Sequence, residues 1–228
     1  MPGAHLLKAG ESVTQPDIWR LTNGEGREVV WKTFRESPLL ARATICRWLV
    51  RREARNLAAL KGMENVPEFL GCPEPVTIEM TFLLAEPVPE RKGALTPAYF
   101  DQLNEMIAEM HARGLNHGDL RRKNLMLNAE TGEPCLVDFA QSFYAKPNSV
   151  TARLVHPIAF RVDRSTFLHL KRWYLSQKGL TAEELAEARA VPWHLRLGRL
   201  LKKKVYRRYK HKRRSVRARM RRRHEKSP

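Results

Sequence analysis

Five polar residues stand where packing alone does not ask for them. Asp119 and Asn124 lie five apart in the basic segment NHGDLRRKNLML (Asn116–Leu127), just before the apolar run Leu125–Leu127. Asp138 closes a second apolar run, in CLVDFAQ. Lys32 interrupts the β-branched and aromatic segment EVVWKTF, and Glu53 falls among the apolar residues of a long helical stretch. Phosphoryl transfer asks for such a set: phosphate charge neutralised, a metal held by hard oxygens, and an acceptor hydroxyl oriented. A carboxylate and an amide oxygen can hold Mg²⁺ between phosphates. A separate carboxylate can accept the hydroxyl proton, and a strand Lys steadied by a helix Glu can meet the nucleotide phosphates. Each residue alone is weak, because an Asp in a loop is most often a turn former. The order Lys–Glu–Asp–Asn–Asp, each in a fitting local setting, is stronger.

Those settings follow from local sequence grammar. IWRL and EVVWKTF read as two strands around the Asn23-Gly24 turn. The stretch from Ser37 to Gly62 reads as a long helix, with Ser37 as N-cap, Pro38 at the first helical position and Gly62 as the stop. VPEFLG and VTIEMTFLLAEPVP read as strands. TPAYFDQLNEMIAEMHARG repeats the helix grammar with Thr96, Pro97 and Gly114, and LMLNAETGEPCLVDF reads as two short strands around NAETGE. Helices are expected over Arg164–Gln177 and Thr181–Ala190, with a long tail from about Pro192. This order predicts an α+β, two-lobed architecture. Residues 1–90 would form a small β-rich lobe, 91–192 a helical lobe, and 193–228 a basic tail.

The long helix predicts a pairing. Ile45, Leu49, Leu57 and Leu60 form its apolar stripe, and Glu53 falls on the same stripe. A carboxylate facing a core needs a partner, because burying it alone costs several kcal/mol, and Lys32 is the candidate.

Taken together, these segments resemble a known superfamily. HGDLRRKN matches the catalytic-loop pattern H-x-D-x-x-x-x-N, VDFA stands where protein kinases carry D-F-G, and VVWK matches the V-A-I-K strand. Over roughly residues 5–180 the chain resembles the small atypical kinases, the RIO-like group and the bacterial lipopolysaccharide-core kinases. The resemblance implies a protein-kinase-like fold and ATP and Mg²⁺ as cofactors. It implies that Lys32 contacts the α/β-phosphates and Glu53 orients it. Asp119 would be the catalytic base, and Asn124 and Asp138 the metal ligands. His117 and Phe139 would pack beneath the loops. AGES (Ala9–Ser12) would be a minimal nucleotide cover through Gly10 and Ser12, and AEPV (Ala85–Val88), with Glu86, the interlobe hinge near the adenine. NGEG, directly before the Lys strand, reads as a hairpin turn instead.

Departures from the pattern carry information. Gly118 replaces the Arg of H-R-D, which argues against regulation by an activation-loop phosphate bound there. Ala140 replaces the Gly of D-F-G and limits backbone freedom after Asp138. There is no A-P-E motif, and only about 25 residues separate Asp138 from the helix expected at Asp163. That leaves little room to dock a peptide and favours a non-standard acceptor. The leading expectation is a lipopolysaccharide-core sugar hydroxyl. The alternatives are a RIO-like serine/threonine kinase or ATPase, and a non-catalytic nucleic-acid-binding module on a kinase-like fold.

The net charge of +18 sits almost wholly at one end. From Arg196 onward there are seventeen Lys or Arg and one acid, Glu225, so the first 195 residues carry only +2. In the tail, Leu197, Leu201, Val205 and Tyr209 recur every fourth position on a basic background. That pattern suits an anionic membrane surface or a lipid-linked saccharide, with RNA or a plain solvated extension as alternatives. No apolar run reaches the roughly 18 residues of a membrane span. The N-terminus lacks a signal-peptide apolar region, and three scattered cysteines form neither a disulfide framework nor a zinc site. A cytoplasmic protein is expected, peripheral on the inner membrane face if the tail docks there.

Overall fold

The Asn23 turn shows how the first sheet is built. Asn23 Oδ1 accepts from the backbone N–H of Glu25 and of Arg27, both at 3.0 Å, and fixes the register of the hairpin β2 (Asp17–Thr22)–β3 (Glu28–Thr33). The structure, a computed structural model, describes residues 4–176 and 179–189. The basic tail, with its Leu197–Tyr209 stripe and the membrane and RNA expectations resting on it, lies outside the described residues. The described residues up to Thr181 form one compact unit, and helix α5 (Ala182–Arg189) belongs to a second.

Five antiparallel strands in the order β1-β2-β3-β5-β4 make the small lobe, with β1 at His5–Lys8, β4 at Phe69–Glu74 and β5 at Thr77–Thr81. In β3, Lys32 is flanked by Ile18 of β2 and Ile78 of β5, so the ammonium is carried by a central strand. The stretch from Val76 to Pro89 is not one strand. It leaves the sheet after Thr81, crosses at Phe82–Leu84, and enters a second sheet as β6 (Ala85–Pro87). The interlobe crossing therefore lies three residues before the segment expected as hinge, and Glu86 is already paired opposite Leu127.

The helix after Ser37 departs from its sequence reading. α1 (Leu39–Ala41) runs through a π-turn (Arg42–Cys46) into α2 (Arg47–Ala58). Within α2 the face follows 3.6 residues per turn, and a strict four-residue spacing such as Ile45, Leu49, Glu53 drifts off it. The buried stripe is therefore Cys46, Val50, Glu53, Leu57 and Leu60, while Ile45 is exposed and Leu49 half-buried. Ser37 is not the cap: its hydroxyl donates to the Val13 carbonyl at 3.3 Å, and Pro38 occupies the N-cap position.

The larger lobe is centred on α3 (Pro97–Ala112), which Thr96 caps by accepting from Tyr99 N–H at 3.2 Å. Phe100, Leu103, Ile107 and Met110 follow helical spacing and are buried. Phe100 meets Phe167 and Tyr174 of α4 (Val150–Leu175) at 6.1 and 5.9 Å between ring centres. Each fully buried side chain of this kind contributes about 1.5–3 kcal/mol relative to exposure. The second sheet is β6-β8-β9, in which the expected hairpin β8 (Leu125–Asn128)–β9 (Pro134–Leu136) puts β8 at the centre and β9 at one edge. β7 (Leu115–Asn116) and β10 (Phe143–Tyr144) form a short pair that the sequence did not announce.

α4 begins fourteen residues before the Arg164 start read from sequence. Pro157 lies inside it, and its early apolar residues Val150, Leu154 and Ile158 are exposed, so neither the grammar nor a buried stripe marks the first turns. Ser149 caps that end by accepting from Ala152 N–H at 3.1 Å. Only eleven residues then lie between Asp138 and α4, which tightens the argument against a peptide-docking segment.

Candidate active site

Lys32 is where the elements converge. Its Nζ donates to Glu53 Oε1 at 2.5 Å and to Asp138 Oδ1 at 3.0 Å. The Lys32 and Glu53 side chains are each 7% exposed, whereas Asp138 is 39% exposed. The expected Lys–Glu pair is thus present, and Asp138, over a hundred residues later, shares the ammonium. Burial alone would lower the Lys32 pKa, but the two carboxylates outweigh it and hold the group above the ordinary lysine value. Lys32, chiefly by its charge, holds Asp138 below the usual carboxylate range. One ammonium cannot fully compensate two carboxylates. Burial therefore pushes Glu53, the one closed off from solvent, above its ordinary value despite Lys32.

Asp138 has a left-handed backbone (φ 69°, ψ 69°), and Phe139–Gln141 follow as a 3₁₀ turn that admits the Cβ of Ala140. A non-glycine residue in that region is held there by its surroundings. Phe139 is buried against the His117 ring, 5.0 Å between centres. Burial lowers the pKa of His117 and keeps it neutral, and its Nε2–H donates to the Val137 carbonyl at 3.2 Å.

The loop bearing Asp119 is anchored by a residue the sequence reading used only as a helix boundary. Asp163 of α4 is buried. Its Oδ2 accepts from His117 N–H at 2.6 Å and faces His111 Nε2 at 3.1 Å, and its Oδ1 accepts from Gly118 N–H at 2.9 Å. The signal was available: Asp163 lies on the stripe of Phe167, Leu170 and Tyr174, as Glu53 lies on its own. Gly118 also acquires a reason. Its φ is +71°, and a Cβ there would lie 2.7 Å from the Gln141 carbonyl oxygen.

Asp119 is 9% exposed and ion-pairs with Arg121. Asn124, from the 3₁₀ turn Arg122–Asn124, donates through Nδ2 to the Asp119 carbonyl at 2.8 Å and to its Oδ2 at 3.3 Å. That leaves the Asn124 amide oxygen as the atom it can offer a cation. The fit to a hard metal rests on this donor chemistry: one carboxylate and one amide oxygen, completed by phosphates rather than by a protein cage. Among the described residues there is no group of three or more His, Cys, Asp or Glu side chains that could hold a metal.

The remaining expected contacts are less directly met. Gly10 lies between β1 and β2, but its N–H donates to Asp17 Oδ1 at 2.6 Å, and a Cβ there would strike the Gln15 carbonyl oxygen at 2.3 Å. Close backbone packing thus explains this glycine, and its N–H already has a partner. The Ser12 hydroxyl is buried with no hydrogen-bond partner among the described residues, and together with Gly10 and Thr33 it lines a cavity of about 200 Å³. Glu86 is exposed on β6.

Comparison with known proteins follows this geometry. The RIO domain family model matches residues 27–158. The chain is similar to proteins named probable bifunctional tRNA threonylcarbamoyladenosine biosynthesis protein. In Methanosarcina acetivorans the identity is 27% over 172 residues, 72% of this chain and 29% of the relative. In Methanosarcina mazei it is 28% over 124 residues, 51% of this chain and 21% of the relative. The chain spans less than a third of the length of these relatives. Among solved structures, the Rio2 kinase from Chaetomium thermophilum superposes with a TM-score of 0.56 at 17% identity, covering 82% of this chain and 71% of that one. The complex of that kinase described as ADP/Mg²⁺-phosphoaspartate gives 0.52 at 18% identity, covering 82% and 62%. At such identities the likeness is one of fold, and the fold is kinase-like.

Proposed function

We propose a function from one premise: this chain belongs to the RIO domain family. It is an ATP-dependent kinase using Mg²⁺, with a RIO-like serine/threonine kinase or ATPase activity. The observation that carries this reading is the meeting of Lys32 Nζ with both Glu53 and Asp138, beside a loop that carries Asp119 and Asn124. The family match favours the RIO-like acceptor over the lipopolysaccharide-core sugar. The relatives' name adds a second reading, in which the kinase activity of this chain serves a tRNA modification; the chain matches less than a third of their length.

In the proposed reaction Lys32 meets the nucleotide phosphates while Glu53 keeps it in place. Asp138 and Asn124 would hold Mg²⁺, which when bound neutralises phosphate charge. Asp119 takes the proton from the acceptor hydroxyl. The acceptor oxygen bonds to the γ-phosphorus, the bond from that phosphorus to ADP breaks, and ADP leaves. Arg121 must first vacate the Asp119 oxygen, and with its side chain 51% exposed it has room to do so.

The test is γ-labelled ATP incubated with a protein extract, tRNA and core saccharide, for the parent and for Asp119→Asn. Label should pass to protein or to inorganic phosphate, and the variant should lose about 10²–10⁴-fold in turnover with nucleotide affinity kept. Unchanged turnover in a folded variant would remove Asp119 from the mechanism. Label on the saccharide alone would restore the sugar reading.

A further inference from the structure

α2 carries three polar residues on the side facing the active site: Arg52, Glu53 and Asn56. Glu53 reaches Lys32, and the other two reach the segment directly after Asp138. Arg52 Nη2 donates to the carbonyls of Gln141 (3.0 Å) and Ser142 (3.1 Å), and its Nε to Ser142 at 3.2 Å. Asn56 Nδ2 donates to the carbonyls of Phe139 (3.0 Å) and Ser142 (2.9 Å). The Ser142 hydroxyl donates in turn to the His117 carbonyl at 3.0 Å. The Trp48 ring, one turn earlier, supports the Arg52 guanidinium at 5.2 Å.

Arg52 and Asn56 are side chains of one helix, and every acceptor of their donors is a backbone carbonyl within four residues of Asp138. Asn56 is fully buried; without its amide the Phe139 carbonyl would keep only the Ser142 N–H at 3.1 Å, and the Ser142 carbonyl only Arg52. Asp138 is the left-handed residue at the start of this turn. Such a conformation persists only where neighbours over-determine it, and the carbonyls after Asp138 are what α2 grips.

We propose that Arg52 and Asn56 are positioning residues that fix the Asp138 carboxylate for metal binding by clamping the turn that follows it. The clamp rests on the kinase reading above. Because Glu53 lies on the same helix between the two, the phosphate-facing Lys32 and the metal-facing Asp138 are tied to a single rigid element.

The experiment compares the parent with Arg52→Ala, Asn56→Ala and Arg52→Lys. Three quantities are measured: Mn²⁺ affinity by paramagnetic resonance with a non-hydrolysable ATP analogue present, affinity for the analogue without metal, and the melting temperature. Mn²⁺ affinity should fall about tenfold in each alanine variant, the size typical of losing a residue that orients a metal ligand. Affinity for the metal-free analogue should stay within about twofold, because Lys32 and Glu53 remain in place. Arg52→Lys keeps the charge beside Glu53 but loses the fork, and should fall roughly threefold; it also carries the test if an alanine variant does not fold. Parental Mn²⁺ affinity in Arg52→Lys overturns the proposal. So does a loss that metal-free nucleotide binding and melting temperature share equally, since that is general loosening. A parent protein with no metal-dependent nucleotide binding defeats the kinase reading itself, and the clamp with it.

Discussion

Removing Lys32 or Glu53 should have unequal effects, and the inequality follows from Asp138. Deleting one partner of a buried ion pair costs about 3–5 kcal/mol, because the other charge is left uncompensated. Lys32→Ala leaves two carboxylates without their cation. Burial has already pushed Glu53 upward, so Glu53 can take a proton and trim the loss, and about 3 kcal/mol is expected. Glu53→Ala leaves Lys32 with Asp138 at 3.0 Å, and about 2 kcal/mol is expected. The double variant keeps no buried charge from the pair, and Asp138 is open enough to be hydrated. It should therefore cost about 2 kcal/mol less than the two single losses together. Urea denaturation of all four proteins at pH 7 measures the cycle, and MgATP binding should be damaged in each variant. Additivity within about 0.5 kcal/mol would show that the two side chains are not energetically coupled, and would refute the reasoning.

Asp138→Ala should abolish metal-dependent nucleotide binding while leaving weak metal-free binding through Lys32; parental MgATP affinity in that variant would sink the assignment. Burial holds His117 below the ordinary histidine value, so near pH 6.5 the unfolded chain takes up a proton that the folded chain refuses. Stability should therefore fall as pH drops below about 6.5, by at most about 1.4 kcal/mol per pH unit for this one group. Denaturation midpoints at several pH values check this. His117→Gln, which keeps a donor for the Val137 carbonyl, should flatten the profile, with a residual slope from His156, also lowered by burial. A profile unchanged by His117→Gln would be the contrary result.

The sequence by itself determined the elements whose rules are local. Asn23 specified the hairpin that presents Lys32, Thr96 and Pro97 specified the start of α3, and the spacing of Asp119, Asn124 and Asp138 specified the two loops. Even the Lys32–Glu53 pair was legible, because a carboxylate on a buried helical stripe must find a cation. The stripe itself was misread by one residue before Glu53, because a spacing of four throughout drifts off a face that repeats every 3.6 residues. Only the tertiary structure decided that Asp138 shares Lys32, that Asp163 holds the loop amides, and that Arg52 and Asn56 grip the turn after Asp138. It also set the reason for Gly118, a carbonyl from Gln141 lying where a Cβ would be. Most of these contacts have a backbone N–H or C=O on one side. Every residue but proline offers both, so such a partner carries no sequence signature, and only the fold selects which of them a side chain meets.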